Sequence, residues 1–310
     1  MTDTPLFEHA VVVGIGLIGS SMAHAMRERG LARKITGCDA DDAVRARAQE
    51  IGIVDAVSAD IKKAAKGADL IIIATPVQAA ADMIRDIAGA SDPGTLIVDV
   101  GSVKGAFAGK ARALQTHAHI VPCHPVAGTE QSGPDSGFAS LFENRWCIVT
   151  PLERDAPGYR AAIDKAIALW KAVGAQVEVM DAGHHDIALA ITSHLPHLLA
   201  FTLVGAADDL ETVTQSEIIK YSAGGFRDFT RIAASDPTMW RDVFLTNKDA
   251  VLEVLGRFTE ELAVLQRAIR WADADTLEDV FSRGRNIRRA IIQSGQETDA
   301  PNFGRDKENR

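Results

Sequence analysis

The sequence predicts an α/β protein in which an N-terminal doubly wound domain with a parallel sheet precedes an all-helical C-terminal domain. Short apolar runs alternate with stretches of helical periodicity up to about residue 150, and no strand pattern follows residue 180. The chain of 310 residues is also longer than a single hydrophobic core usually supports. We therefore expect a first domain over residues 1–180, a helical domain over 181–294 and a polar, frayed tail over 295–310.

The predicted strands are continuous apolar runs, which is the pattern of parallel strands covered by helices on both faces. They are expected at residues 10–14, 34–39, 70–75, 95–100, 120–124 and 147–151. The helices between them are expected at residues 17–29, 41–51, 78–88 and 104–117. A helix and a short strand complete the first domain at residues 159–173 and 176–180.

The second half begins at Asp181 with one long apolar helix that is expected to reach about Ala207. His184 and His185 are expected as solvated residues at its start, without a functional role. Pro196 removes one backbone hydrogen bond inside this helix, so we expect a kink there. A loop follows at 222–225, and further helices are predicted at residues 215–221, 228–234, 237–246 and 248–271.

The first predicted strand runs into a glycine-rich segment, Gly14-Ile15-Gly16-Leu17-Ile18-Gly19, which opens the first predicted helix. Gly14 makes the tight turn, Gly16 lets a pyrophosphate approach the backbone, and Gly19 lets the helix pack against the strand. The free N–H groups and the positive dipole end of the helix favour phosphate charge. The segment therefore predicts a Rossmann-type dinucleotide-binding domain.

An acidic residue follows at the expected distance, since Asp39 lies 20 residues beyond Gly19 at the end of the second predicted strand. Its carboxylate can accept hydrogen bonds from both adenosine ribose hydroxyls and would repel a 2′-phosphate, so we predict NAD rather than NADP. Thr75 and Ser102, at two further strand ends, are expected to face the nicotinamide half; capping of the next helix is the alternative. The predicted cofactor-binding residues are Gly14, Gly16, Leu17, Ile18, Gly19, Asp39, Thr75, Pro76, Gly101 and Ser102.

The composition disfavours several kinds of partner. With 42 acidic and 33 basic side chains, the formal net charge is −9, which disfavours nucleic acid and anionic membrane surfaces. No uninterrupted apolar run reaches about 18 residues and the N-terminal segment is polar, so we expect neither a membrane span nor a signal peptide. The three cysteines lack CxxC or metal-ligand spacing and are expected as buried thiols of a cytoplasmic protein.

His124 is the strongest catalytic candidate, because ligands of doubly wound sheets bind beyond the carboxyl ends of the strands. It ends the predicted strand 120–124 and precedes a loop of small residues, Pro125 to Pro134, that could line a pocket. An enzyme that oxidises an alcohol needs a base for the hydroxyl proton, and histidine titrates near the working pH. A histidine satisfied by local backbone is the alternative.

The helical half contributes further polar candidates. His194 and His197 are three residues apart and share one face of the long helix, where we expect them to face a substrate cleft. Since no third ligand accompanies them, we predict no metal. Arg227 and Arg231 suit a substrate carboxylate, with Asp228 expected to hold the fork of Arg231, unless these charges form a surface pair.

Four segments occur in one order along the chain and together closely resemble the prephenate/arogenate (cyclohexadienyl) dehydrogenase family of tyrosine biosynthesis. They are DVGSVK at 99–104, HPVAGTE at 124–130, SHLPH at 193–197 and GGFRDFTRIA at 224–233. The resemblance covers about residues 8 to 290 and implies NAD-dependent oxidative decarboxylation of prephenate, arogenate or both. It also implies a homodimer formed through the helical domain.

The resemblance implies roles for individual residues. His124 matches the catalytic histidine bonded to the ring hydroxyl of the substrate, and Ser102 matches the serine that contacts this hydroxyl and the nicotinamide. Arg231 matches the arginine that holds a substrate carboxylate, and His197 the histidine near the substrate side chain. The remaining residues expected to bind substrate, or to form or support an ionic gate at the pocket mouth, are Gly128, Thr129, Glu130, His194, Arg227 and Asp228.

Two other interpretations remain open on the residues alone. Another two-domain NAD(P) dehydrogenase, of the β-hydroxyacid dehydrogenase or imine reductase type, would share the organisation. Such enzymes tend to place a lysine or another group on the long helix, which here offers His194 and His197 and no lysine between Asp186 and Asp209. A non-catalytic dinucleotide sensor would keep Asp39 but has no need of His124. The sequence does not separate prephenate from arogenate, which differ only at one side-chain carbon.

Overall fold

The computed structural model describes residues 4–129, 131–209 and 224–293, and the elements below are those of this part of the chain. The strands are β1 (Phe7–Val13), β2 (Ala32–Cys38), β3 (Ala56–Ser58), β4 (Leu70–Ile73), β5 (Leu96–Asp99), β6 (His119–Ile120), β7 (Cys123–Pro125), β8 (Trp146–Val149) and β9 (Gln176–Val179). The helices of the first half are α1 (Leu17–Glu28), α2 (Asp42–Glu50), α3 (Ile61–Ala65), α4 (Val77–Ala90), α5 (Gly105–Arg112) and α6 (Tyr159–Ala172). Those of the second half are α7 (Ala182–Leu189), α8 (Leu195–Asp209), α9 (Gly224–Thr230), α10 (Pro237–Thr246), α11 (Lys248–Arg270) and α12 (Ala274–Gln293).

Six parallel strands form the central sheet in the order β3-β2-β1-β4-β5-β6. The chain starts in the middle at β1, adds strands toward one edge, and then returns to add β4 to β6 on the other side. The direction of winding reverses between β1 and β4, which is where ligands bind in doubly wound sheets. The predicted fold class, a doubly wound parallel-sheet domain followed by helices, is confirmed.

The core lies on the central strands, because their continuous apolar runs are covered on both faces. Fully buried residues of β1, β4 and β5 include Val11, Val12, Ile71, Ile72 and Ile97. The helices contribute further apolar side chains to the same core, among them Met22, Met26, Ile84, Ile87 and Phe107. This packing gives the carboxyl ends of the strands a rigid base.

The strand expected at 120–124 is two strands in two sheets, so that prediction was wrong. Strand β6 forms the edge of the central sheet, whereas β7 pairs antiparallel with β8, which pairs in parallel with β9. Pro122 lies at the break, because proline has no N–H with which to continue a ladder. His124 consequently lies in the middle of β7 and not at the end of a parallel strand.

Smaller differences concern element ends. Strand β3 and helix α3 were not predicted, and the helix expected to reach residue 117 ends at Arg112. The strand expected at 147–151 is β8 of the second sheet. Gly224 and Gly225, expected in a loop, form the first turn of α9, and the helix expected at 228–234 ends in a 3₁₀ turn over Arg231–Ala234.

The long helix of the second half is continuous but irregular. A π-helical turn over Ala190–His194 joins α7 to α8, directly before Pro196. The expected distortion takes this form because proline offers no N–H to the preceding turn. By length and composition alone the stretch Ala182–Asp209 is apolar enough to cross a membrane, although polar residues interrupt it. Several of these polar residues belong to the site described below.

Contacts divide the chain into two compact units, Met1–Leu252 and Glu253–Arg310. The first unit contains the strands listed above, helices α1 to α10 and every residue of the site described next. Helix α12 belongs to the second unit. The helix expected at 215–221, the loop residues 222–223, Glu130 and the tail at 295–310 lie outside the described residues.

Candidate active site

The turn between β1 and α1 has the geometry that its glycine spacing predicts. Gly14 has a φ of +87°, and a Cβ atom there would lie 2.7 Å from the carbonyl oxygen of Ala74. A Cβ atom on Gly19 would lie 1.9 Å from the carbonyl oxygen of Gly14. On Gly16 it would meet no described atom within 4 Å, so the backbone faces open space where α1 begins. These residues fit a dinucleotide pyrophosphate, which needs close backbone approach at a helix N-terminus.

Asp39 follows β2 and lies beside this turn, because β2 is the neighbour of β1 in the sheet. One carboxylate oxygen of Asp39 accepts the N–H of Ile15 at 2.9 Å, and the other accepts the N–H of Asp41 at 3.0 Å. Each oxygen keeps a second lone pair that can accept a ribose hydroxyl. The carboxylate is therefore fixed where the predicted preference for NAD requires it.

Thr75 and Ser102 do not cap the helices that follow them, so the capping alternative is wrong for both. Pro76 is the N-cap residue of α4 and Lys104 that of α5, and neither helix has a cap from its own N-cap side chain. The Thr75 hydroxyl lies 3.8 Å from the sulfur of Met83. Both residues follow strands of the central sheet, at its carboxyl edge.

A buried ion pair fixes the chain directly before His124. The ammonium group of Lys104 contacts one carboxylate oxygen of Asp99, and both side chains are almost fully buried. Lys104 Nζ also donates to the carbonyl of Cys123 at 2.6 Å, and the other Asp99 oxygen accepts the N–H of Cys123 at 3.3 Å. The end of β5 is thus tied to the start of β7. His124 is held beyond the carboxyl edge of the central sheet even though β7 belongs to the other sheet.

His124 contacts a second histidine. Only 7% of the surface of His124 is accessible to solvent, and its Nδ1 lies 2.8 Å from Nε2 of His185. His185 is fully buried, so the expectation of a solvated residue was wrong, whereas His184 is exposed as expected. The reason is helical periodicity: α7 buries Ala182 and Leu189, and position 185 falls on the same face.

Asp186 links this histidine pair to the N-terminus of α5. Nδ1 of His185 lies 2.8 Å from Oδ1 of Asp186. The same oxygen accepts the N–H of Lys104 at 2.8 Å, and Oδ2 accepts the N–H of Gly105 at 2.8 Å. Asp186 therefore supplies the cap that α5 lacks locally. A continuous chain of hydrogen bonds runs from α5 through Asp186 and His185 to His124.

His194 and His197 lie close together on the long helix but have different partners. His194 is fully buried, and its Nδ1 lies 3.1 Å from Nδ2 of Asn247. The same amide nitrogen donates to the carbonyl of Asp186 at 2.8 Å, while Nε2 of His194 has no partner among the described residues. The ring of His197 stacks on Trp240 with a centroid distance of 3.7 Å.

Burial lowers the pKa of His124, His194 and His197, which favours the neutral form of these three rings. It lowers the pKa of His124 well below the usual 6.5, and the neighbouring His185 adds to this shift. Burial also lowers the pKa of His194 to about 4. The pKa of His197 is lowered by burial, with a further contribution in the same direction from the guanidinium of Arg231. A neutral imidazole can accept a proton, as a general base must.

Of the two candidate arginines, Arg227 and Arg231, it is Arg227 that pairs with Asp228. Oδ1 of Asp228 lies 3.9 Å from Nε of Arg227, so its observed ion pair is with Arg227 and it does not hold Arg231 as expected. Arg231 is exposed and opens the 3₁₀ turn after α9. Gly128 and Thr129 are exposed in the loop that follows β7.

Sequence reasoning missed four polar residues of this site, Lys104, His185, Asp186 and Asn247. A signal for two of them was present in the sequence. His185 and Asp186 stand at the spacing that makes Ala182 and Leu189 a buried helix face, and polar side chains at core positions need partners. For Asn247 no local pattern indicates a contact with a helix some 50 residues earlier in the chain, since the bonded pair Asn247–His194 is separated by 53 positions.

The site offers hydride transfer coupled to proton transfer. A neutral imidazole that can accept a hydroxyl proton lies at the same sheet edge at which the turn after β1 fits a dinucleotide. The fold and this arrangement define an NAD-dependent dehydrogenase.

Comparison with known proteins identifies the family. The family model of the prephenate dehydrogenase nucleotide-binding domain matches residues 22–179, and that of the prephenate dehydrogenase dimerization domain matches residues 181–283. The chain therefore belongs to the prephenate dehydrogenase family.

Similar proteins extend this result over nearly the whole chain. The cyclohexadienyl dehydrogenase of Zymomonas mobilis is 39% identical over 286 residues, covering 92% of this chain and 97% of that protein. The crystal structure of prephenate dehydrogenase from Aquifex aeolicus, in complex with hydroxyphenyl propionate and NAD+, matches with a TM-score of 0.83 at 31% identity, covering 92% and 98% of the two chains. Synechocystis arogenate dehydrogenase matches with a TM-score of 0.75 at 26% identity, covering 91% and 99%. The resemblance inferred from the four segments is confirmed.

Proposed function

We propose that this protein catalyses the NAD-dependent oxidative decarboxylation of prephenate to 4-hydroxyphenylpyruvate, of arogenate to tyrosine, or of both, in tyrosine biosynthesis. Membership of the family supports this reaction, and the similar proteins bear the names cyclohexadienyl, prephenate and arogenate dehydrogenase. NAD+, when bound, supplies the acceptor for the hydride that leaves ring carbon 4 of the substrate.

His124 is assigned the proton chemistry. It accepts the proton of the hydroxyl at ring carbon 4 as the hydride leaves that carbon. The carboxylate at ring carbon 1 then departs as CO₂, its bonding electrons complete the aromatic ring as a phenolate, and the phenolate oxygen takes back the proton held by His124. Because aromatisation makes the overall step strongly downhill, the protein has mainly to orient the substrate and to remove one proton.

The other polar residues are assigned to binding. Ser102 contacts the reacting hydroxyl and Arg231 holds a substrate carboxylate, for which a planar guanidinium is suited. His197 lies near the substrate side chain, and Nε2 of buried His194, which has no partner among the residues that the structure describes, is available to a ligand. At the pocket mouth we assign Gly128, Thr129, Glu130, Arg227 and Asp228. To the cofactor we assign Gly14, Gly16, Leu17, Ile18, Gly19, Asp39, Thr75, Pro76, Gly101 and Ser102.

The observation that carries these assignments is the neutral imidazole of His124, tied through Cys123 to the end of β5 at the carboxyl edge of the sheet. The direct test incubates the protein with NAD+ and either prephenate or arogenate, and follows NADH absorbance. We expect turnover with at least one of them, and the ratio of kcat/KM decides the substrate. Reduction of NAD+ with a β-hydroxyacid but with neither cyclohexadiene would contradict the proposal, as would NAD+ binding without any turnover.

We further propose a homodimer formed through the helical part of the chain. The long helix exposes the apolar side chains of Ile187, Ile191, Leu203 and Val204, each between 40 and 53% accessible. The family model matched over 181–283 is that of a dimerization domain, which supports the same conclusion. Light scattering in solution should give twice the mass of one chain, and the mass of a single chain would contradict the proposal.

The functional division of the chain is proposed at residue 180, with cofactor binding before it and substrate binding after it. The two family matches support this division, because one ends at residue 179 and the other begins at residue 181. We also propose a cytoplasmic location without nucleic-acid or membrane partners. The buried free thiols of Cys38, Cys123 and Cys147 support a reducing compartment, and the net charge of −9 disfavours polyanions.

A further inference from the structure

We propose that His185 and Asp186 form a positioning pair that fixes the tautomer of His124, so that Nδ1 of His124 carries the proton and Nε2 presents its lone pair to the substrate. This inference rests on the proposed function, in which His124 is the base. It adds which nitrogen is the base and which residues make it so.

The argument starts at the carboxylate of Asp186. Its two oxygens accept the N–H groups of Lys104 and Gly105 at the start of α5, each at 2.8 Å. Both oxygens of Asp186 therefore act as hydrogen-bond acceptors for the free N–H groups at this helix N-terminus. An ionised carboxylate can only accept hydrogen bonds.

The polarity of the next bond follows. Nδ1 of His185 lies 2.8 Å from Oδ1 of Asp186, and since this oxygen only accepts, Nδ1 must donate. His185 is fully buried, and its Nε2 faces Nδ1 of His124 at 2.8 Å, so one of these two nitrogens donates the proton that lies between them and the other accepts it. In the neutral ring Nε2 is then the acceptor.

The same reasoning fixes His124. Nε2 of His185 lies 2.8 Å from Nδ1 of His124, and with His185 as the acceptor this Nδ1 must carry a proton and donate it. The neutral imidazole of His124 therefore keeps the lone pair on Nε2, where the substrate hydroxyl proton can be accepted. When Nε2 takes that proton, the new positive charge is linked through His185 to the carboxylate of Asp186, as in other histidine bases backed by a buried acid.

The main-chain carbonyl of Asp186 orients a second histidine, His194, through Asn247. In His194 it is Nδ1 that accepts a hydrogen bond, whereas in His124 Nδ1 donates one. The carbonyl of Asp186 accepts Nδ2 of Asn247 at 2.8 Å, which identifies this atom as the amide nitrogen. The other hydrogen of Nδ2 points to Nδ1 of His194 at 3.1 Å, so Nδ1 accepts and Nε2 of His194 carries the proton. Position 186 thus specifies an acceptor at Nε2 of His124 and a donor at Nε2 of His194.

The first experiment reads the tautomers directly. Long-range proton–nitrogen NMR spectra of the full chain, labelled with ¹⁵N-histidine, distinguish protonated from unprotonated ring nitrogens. Signals are assigned with the variants His124→Asn and His185→Phe. We expect Nε2 of His124 to be unprotonated and Nδ1 of His124 and of His185 to be protonated. A proton on Nε2 of His124 in the parent protein would overturn the proposal without reference to any assay.

The second experiment separates positioning from folding. In His185→Phe the Nδ1 proton of His124 loses its acceptor, so we expect kcat to fall by ~10- to 100-fold with KM and NAD+ affinity unchanged. His185→Gln keeps an acceptor oxygen and should recover most of the rate. His184→Phe is the matched control, because it is the adjacent and exposed histidine of the same helix. Equal kcat in His185→Phe and His184→Phe, or a loss through KM alone, would overturn the proposal.

The two proposals fail in different ways. If neither prephenate nor arogenate is oxidised, the proposed function is wrong, whereas the tautomer of His124 is measured in the protein alone. If turnover is normal but Nε2 of His124 carries the proton, the function stands and the positioning pair is wrong.

Discussion

The imidazole of His124 makes the substitution His124→Asn the most direct test at the residue scale. Asparagine keeps a polar side chain of similar size but cannot accept and hold a proton. We expect kcat to fall by ~100- to 10,000-fold, the usual contribution of a general base, with NAD+ affinity unchanged. Steady-state kinetics and NAD+ titration measure both quantities. A variant that turns over at the parent rate would remove His124 from the mechanism.

Arg231 is expected to act on binding rather than on the chemical step. Its interaction with a spectator carboxylate exists in the ground state and in the transition state alike, so Arg231→Ala should raise KM by ~10- to 100-fold with little change in kcat. Arg241→Ala is the control, since Arg241 is also exposed but pairs with the adjacent Asp242. A fall in kcat at constant KM for Arg231→Ala would contradict the assigned role.

Single residues were predictable where a local rule ranks them. His124 stood out because it follows a strand at the edge where ligands bind, and it stays at that edge although its strand changes sheets. Its partner His185 was missed because the helix start suggested solvent, while the deciding contact joins residues 61 positions apart. Asp228 was assigned to Arg231 by helical spacing, yet the observed pair is with its neighbour Arg227.

At the scale of elements, the turn between β1 and α1 yields a paired prediction for two glycines. A Cβ atom on Gly19 meets the carbonyl oxygen of Gly14 at 1.9 Å, so Gly19→Ala should lower the free energy of unfolding by about 1–3 kcal/mol. A Cβ atom on Gly16 meets no described atom within 4 Å, so Gly16→Ala should change stability by no more than about 0.5 kcal/mol. It should nevertheless weaken NAD+ binding, because the new methyl group occupies the approach of the pyrophosphate.

Urea unfolding and NAD+ titration of both glycine variants check this pair. Each variant is the control for the other, since both make the same chemical change within one turn. Equal losses of stability, or full NAD+ affinity in Gly16→Ala, would show that the turn does not have the proposed role.

Elements with a strong local pattern were predictable, and those that depend on distant partners were not. Strands β1, β2, β4 and β5 of the central sheet follow from continuous apolar runs, and helix α10 follows from its helical spacing. The break at Pro122 was missed because the flanking residues are apolar on both sides, and only pairing with β8 reveals the second sheet. The N-terminus of α5 is capped by Asp186, which no pattern within α5 indicates.

At the scale of the whole molecule, the buried histidines predict how stability depends on pH. Burial lowers the pKa of His194 to about 4 and that of His124 well below 6.5. Below about pH 6.5 the unfolded chain therefore binds more protons at these histidines than the folded chain does. The contribution of the neutral rings is complete above about pH 6.5 and declines as the pH falls toward 4. Each such histidine should remove up to about 1.4 kcal/mol per pH unit in this window.

Urea unfolding at a fixed protein concentration, compared between about pH 7 and about pH 5, measures this decline. The variant His194→Gln should flatten it, and His184→Gln, which replaces an exposed histidine, should leave it as in the parent. Identical slopes in the parent and in His194→Gln would contradict the prediction.

The order of domains was predictable for the whole molecule, because a loss of strand pattern is visible in the sequence. The compact units were not: the first extends to Leu252, well beyond the change of pattern at residue 180. Helix α7, which follows residue 180, is tied to the first domain by long-range bonds such as those from the N–H groups of Lys104 and Gly105 to Asp186. Such bonds have no signature in local periodicity.

The stretch from Ala182 to Asp209 is a continuous helix that joins two unlike regions. In the proposal above, residues near its start set the proton positions of two imidazoles, and near its end Leu203 and Val204 expose apolar side chains. A tilt of the helix imposed at its apolar end would change the direction of the imidazole lone pairs at the other end. An inhibitor that displaces the proposed partner subunit from Leu203 would therefore slow turnover without competing with substrate or nucleotide.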